Sequence, residues 1–253
     1  MKRQTIPKAV SLIAGSLLVL STNPAQAFTF TTNFSGNPPK GDIYLDSVEL
    51  EDGSVISNFA LVNQVEIIDI GPTEDTGIVS TDRGDEAQGD AIEDPTADQI
   101  ADNQGNRYLS QIIDTEDPGT FTLNLFFDSL VDNLFFWERG KNSQLGVQAV
   151  DKSGNLLGNL LTLDSSTWQD AGFSLDTTEI QSAQPVGSVG VSLADLGVTR
   201  PIAGVQLTST PDYNGPDFKV VAASVPEPTA LAGIGLVGSI LVASRRRQHG
   251  KAC

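Results

Sequence analysis

Alternation of apolar and polar residues with a period of two, in short runs, is the feature that most narrows what this chain can become. Phe121, Leu123 and Leu125 alternate with Thr122 and Asn124, and Val189, Val191 and Leu193 alternate with Gly190 and Ser192. Val205 and Leu207 flank Gln206 in the same way. Successive side chains of a strand point to opposite faces, so each run offers one face to a core. Turn residues separate the runs: Asp52-Gly53 between Val48-Glu49-Leu50 and Val55, Gly71-Pro72 after Leu61–Ile70, and Asp151-Lys152-Ser153-Gly154-Asn155 after Leu145, Val147 and Ala149. The runs recur every 10–15 residues or so without a fixed repeat, which predicts an all-β single domain, a β-sandwich or jelly roll. Leu134-Phe135-Phe136-Trp137 breaks the alternation by being apolar throughout, as in a strand covered on both faces.

Residues 76–106 look different. They are acidic, poor in large apolar groups and interrupted by Gly84, Gly89 and Pro95. They read as a long loop, with one short helix after Thr96, where Thr96-Ala97-Asp98-Gln99 fits a capping box. Asp82, Asp85, Glu86, Asp90, Glu93, Asp94, Asp98 and Asp102 crowd this stretch. A structural Ca²⁺ would gather them, but the spacing is not that of an EF-hand, and no metal-ligand set or other cofactor is assigned.

His249 and Cys253 are the only histidine and cysteine, and both lie near the C-terminus. The region before them therefore has no imidazole base, no thiol and no soft ligand for zinc or copper. Disulfides are excluded as well. All 32 carboxylates fall within residues 28–228, where only eight Lys and Arg stand, a net of −24. Such a surface repels phosphate backbones, which excludes nucleic acid as a partner. Carboxylate pairs are the only mainstream hydrolytic machinery left, and pairs this numerous arise by chance.

Both ends read as export signals. Lys2, Arg3 and Lys8 precede an apolar stretch, Val10–Leu20, and Ala25-Gln26-Ala27 supplies a small-x-small cleavage site. Residues 1–27 are thus expected to be a signal peptide, with the mature chain starting at Phe28. Residues 225–253 hold Pro226-Glu227-Pro228, an apolar helix over 229–244, and Arg245-Arg246-Arg247. That helix is roughly 24 Å long at 1.5 Å per residue, short for a hydrocarbon core of about 30 Å. Its arginines are expected to stay cytoplasmic, leaving the upstream chain outside.

This three-part tail resembles the PEP-CTERM sorting signals that an exosortase, a membrane protease, recognises. The resemblance implies cleavage near Pro226-Glu227-Pro228 and delivery to the cell surface or extracellular matrix. Further segments, Phe136-Trp137-Glu138-Arg139-Gly140 with Asn142-Ser143, Asp176-Thr177-Thr178-Glu179-Ile180 and Gly215-Pro216-Asp217-Phe218-Lys219-Val220, are similar to a cyanobacterial family of exosortase-dependent surface proteins. That likeness implies location and architecture but no chemistry.

Within the domain over 28–224, Arg139 is expected to pair with a carboxylate and Gly140 to turn the chain with positive φ. Trp137 is expected in the core. Trp168, beside Ser166, Thr167 and Gln169, is the candidate sugar-stacking platform. Arg83-Gly84-Asp85 spells an adhesion tripeptide, a match that three residues make by chance. The expected function is a non-catalytic surface or matrix protein with the Sec machinery and an exosortase as partners. It would be held transiently in the inner membrane. The alternative is a jelly-roll module that binds exopolysaccharide.

Overall fold

The structure is a computed structural model that describes residues 27–71, 77–180 and 182–225. The leader before residue 27, including Ala25, lies outside the described residues. So do Pro226, Glu227, Pro228, the apolar helix over 229–244 and Arg245, Arg246 and Arg247. Among the described residues no helix is long and apolar enough to cross a membrane.

The strands are β1 (Phe30–Gly36), β2 (Ile43–Leu50), β3 (Val55–Ile56), β4 (Phe59–Ala60), β5 (Val62–Ile70), β6 (Val79–Arg83) and β7 (Ile92–Glu93). Helix α1 (Ala97–Gln104) follows. Then come β8 (Gln111–Thr115), β9 (Phe121–Arg139), β10 (Leu145–Val150), β11 (Leu156–Leu163), β12 (Gln169–Leu175), β13 (Gln184–Ser192), β14 (Ile202–Ser209) and β15 (Phe218–Ser224). Strands hold 56 % of the residues and helix 6 %, so the class is all-β, with antiparallel sheets as the alternating runs predict.

The expected loop over 76–106 is not a loop throughout. It contributes β6, β7 and α1. Val79-Ser80-Thr81-Asp82 is buried without one large side chain, because β6 lies against β8 in the sheet. The helix begins where the capping box places it: Thr96 Oγ1 accepts from the Gln99 amide, and Gln99 Oε1 accepts from the Thr96 amide at 2.8 Å.

β9 organises the molecule. Its first half pairs with β5 and β14, its second half with β13 and β15. Alternate residues serve two cores. Leu134 and Phe136 join Phe121, Leu123, Leu125, Val189 and Val220. Phe135 and Trp137 join Phe30, Ile43, Leu45 and Val221, under the small sheet of β1, β2 and β3. Phe30 meets Phe135 and Trp137 edge-on, with centroids 5.1 and 5.5 Å apart. The Trp137 indole donates to Thr32 Oγ1 at 3.0 Å, which satisfies its one polar atom in the core.

Helix α1 docks on β15 by imitating a neighbouring strand. Gln104 Oε1 accepts from the Val220 amide, and its Nε2 donates to the Phe218 carbonyl. Buried Lys219 donates to the Asn103 carbonyl, one of the carbonyls left unpaired at a helix end.

Phe136 is fully buried. Phe136→Ala is therefore expected to cost about 3–5 kcal/mol in denaturant unfolding. Leu156→Ala, at a half-exposed position, should stay within about 0.5 kcal/mol of wild type.

Candidate functional site

The end of β9 carries Glu138 and Arg139 into the interior, where each finds a different solution. Arg139 is 3 % exposed. Its Nε and Nη2 donate to Asp217 Oδ2 at 3.1 and 2.8 Å, and Nη2 also donates to Asp114 Oδ2 at 2.5 Å. Nη1 donates to Thr177 Oγ1 and lies 3.6 Å from Asp82 Oδ2. Gly140 then turns the chain at φ +104°, and its amide donates to the Pro185 carbonyl. The expected Arg139 ion pair is thus present, with three carboxylates in place of one.

Sheet register explains the gathering. Ser80 of β6 stands opposite Asp114 of β8, and Asp82 lies two residues along on the same face. Phe218 of β15 pairs with both Ile113 and Glu138, so Asp217 arrives beside β8 and β9 together. Thr177 forms a bridge with Gly84, which brings the segment after β12 alongside β6. The segments 136–143, 176–180 and 215–220 meet here, through Arg139, Thr177 with Glu179, and Asp217.

The cluster opens to solvent through a cleft of about 320 Å³ that Asp114, Arg139, Glu179, Asp217, Asn142 and Gln184 line. Carboxylate oxygens of Asp82, Asp114 and Glu179 lie within 4.8 Å of one another, the one metal-ligating group of this kind among the described residues. Burial pushes the Asp114 carboxyl well above its usual range, and the Asp217 charge pushes it further, while Arg139 opposes both. Burial also raises Asp217, again against Arg139. Glu138 faces away from this cluster. Burial raises it to about 8, although Ser143 Oγ and the Lys141 amide both donate to it at 2.6 Å.

Trp168 is 3 % exposed, and its indole donates to the Ser143 carbonyl at 3.0 Å. Its ring packs in the first core and offers no stacking face. Its polar neighbours Ser166 and Gln169 are exposed, but the ring turns inward. Of the acidic run, only Asp82 enters the cluster. Glu86, Asp90, Glu93, Asp94, Asp98 and Asp102 are exposed, and Asp85 pairs with Lys40 at 2.6 Å. Ala27 packs partly buried against the first core. Sequence reasoning had no residue-level warning of Asp114, yet a carboxylate ending Gln111-Ile112-Ile113 in a buried strand is such a signal.

Comparisons of the chain with protein-family models, with curated proteins and with solved structures find no match.

Two predictions follow from the buried charges. Arg139→Met leaves buried carboxylates without their counter-charge and is expected to cost about 3–5 kcal/mol in denaturant unfolding. Lys40→Ala, which breaks the part-exposed pairs with Asp85 and Asp176, should cost at most about 1 kcal/mol. Glu138 keeps its proton in the folded state up to about pH 8 but loses it near 4.5 when unfolded. The folded state then binds more protons across that window, so stability is lost as pH rises through it. Lys219 opposes the trend, because burial lowers its pKa and favours folding as pH rises. The Glu138 contribution is isolated by comparing wild type with Glu138→Gln in metal-free buffer. Wild type should lose up to about 1.4 kcal/mol per pH unit relative to the variant between about pH 5 and pH 8. A constant difference would refute it.

Proposed function

We propose that the protein is a non-catalytic, exported surface or matrix protein, an all-β display domain of jelly-roll type carried between a signal peptide and an exosortase-processed sorting tail. The observation that supports this most directly is where the fold meets the two processing sequences. Phe28, the first residue after the Ala25-Gln26-Ala27 cleavage site, already exchanges both backbone hydrogen bonds with Gly190, at 2.9 and 2.8 Å. At the other end β15 closes at Ser224, and the Val225 amide donates to the Leu130 carbonyl just before Pro226. Cutting at both sites therefore removes none of the described strands.

Composition supports the non-catalytic part, since residues 28–228 contain neither histidine nor cysteine. The exopolysaccharide alternative loses its main support with the burial of Trp168. In this reading the Sec machinery exports the chain, the helix over 229–244 holds it briefly in the inner membrane, and an exosortase releases it to the surface.

Mass spectrometry of the surface form tests the proposal. The expected mature chain begins at Phe28 and ends near Pro226-Glu227-Pro228. In cells without an exosortase, the uncut chain should stay in the membrane fraction with Arg245, Arg246 and Arg247 attached. A surface form that retains those arginines overturns the reading.

A further inference from the structure

The charge around Arg139 does not balance within the protein. Asp82, Asp114, Asp217 and Glu179 surround a single guanidinium. Arg139 is committed to Asp217 through two nitrogens and to Asp114 through one. Asp217 is fully served, since its Oδ1 also accepts from the Thr115 amide. Asp114 gives Oδ2 to Arg139 and lies against Glu179.

Asp82 supplies a separate observation. It is 3 % exposed. Its Oδ1 accepts from the Arg83 amide at 2.7 Å and from Thr178 Oγ1 at 3.4 Å. Its Oδ2 is buried and has no hydrogen-bond partner among the described residues. The Arg139 Nη1 that it faces is 3.6 Å away and already donates to Thr177. A carboxylate oxygen held dry with no hydrogen bond, and only a 3.6 Å ion pair to share, is costly, and such groups are rare in folded proteins.

We propose that Asp82, Asp114 and Glu179 form a site for one hard divalent cation, Ca²⁺ foremost, entered through the cleft beside Arg139. Spacing fits the assignment. Oxygens bound to one Ca²⁺ at 2.3–2.6 Å are at most about 5 Å apart, and the three carboxylates bring oxygens within 4.8 Å of one another. The donor set is all oxygen, which suits Ca²⁺ and excludes the soft metals. The cleft of about 320 Å³ leaves room for the waters that complete a coordination number of roughly six to eight. Arg139 acts as a positioning residue that fixes the Asp114 carboxylate. A cation there ties together β6, β8 and the segment after β12. This site stands or falls independently of how the chain is sorted.

The test uses the purified protein stripped with EDTA and then titrated with CaCl₂, MgCl₂ or MnCl₂, with melting temperature and calorimetry as readouts. Ca²⁺ is expected to raise the melting temperature saturably, with half-saturation on the order of 10⁻⁴–10⁻³ M. Glu179 is exposed, so Glu179→Gln should keep the metal-free melting temperature and bind Ca²⁺ about tenfold more weakly or not at all. Asp98→Asn, in the exposed acidic run, should respond as wild type does. Absence of any shift up to about 10 mM of all three cations overturns the proposal, as does an undiminished shift in Glu179→Gln.

Discussion

The structure depends on one strand whose last stretch, residues 134–139, has no solvent-facing side. β9 runs 19 residues, carries a hydrogen-bonded neighbour along both edges and buries alternate side chains in two different cores. Most antiparallel strands keep one face in water and can place charge there. At the end of β9 that option is absent. Glu138 and Arg139 are 1 % and 3 % exposed, so whatever charge they carry must be met inside the protein. Their position follows from strand length. A β9 that stopped at Trp137 would need neither the Asp114–Asp217 pair nor the turn at Gly140.

The two residues resolve the problem in opposite ways, and the difference is chemical. A carboxyl can shed its charge by holding a proton, as burial favours for Glu138. A guanidinium cannot, so Arg139 recruits anions from β6, β8 and the lead into β15. Recruitment overshoots. One positive charge draws in three buried carboxylates, with Glu179 at the rim, and the surplus negative charge makes the cleft a sink for protons or a cation. Lys219 shows the reverse case, an amine buried at the end of α1 with only amide and carbonyl oxygens as partners. Burial drives it toward the neutral form.

The sequence made the strands legible where side-chain size alternates. β5, β10, β13 and β14, the Asp52-Gly53 hairpin and the Thr96 cap all stand where local pattern puts them, and so does the double burial of Leu134–Trp137. Local pattern failed in two places for two reasons. Val79-Ser80-Thr81-Asp82 has one modest apolar residue and a charge, so nothing in it announces a buried strand; its burial comes from β8, some 30 residues away in sequence. At Trp168 the polar neighbours report only their own outward facing, while the ring turns inward. The cluster was half legible. Arg139 advertised a carboxylate partner, whereas the identity of Asp82, Asp114 and Asp217 is written in sheet register that no single segment contains.

Cross-linking shows why such a cluster would suit the domain if it is exported as proposed. Proteins that leave the cytoplasm commonly restrict the unfolded chain with disulfides, and the domain over 28–224 has no cysteine with which to do so. Its surface works against compactness as well, because a net charge of −23 repels itself. An ion shared by Asp82, Asp114 and Glu179 would close loops that span almost 100 residues of chain, the same topological effect as a long-range disulfide. It would also remove negative charge where the fold has concentrated it. Unlike a disulfide, this link needs no oxidant and responds to its surroundings. It would form where divalent cations are plentiful and open where they are scarce, so on the proposed export route stability would be lowest before export and highest at the surface.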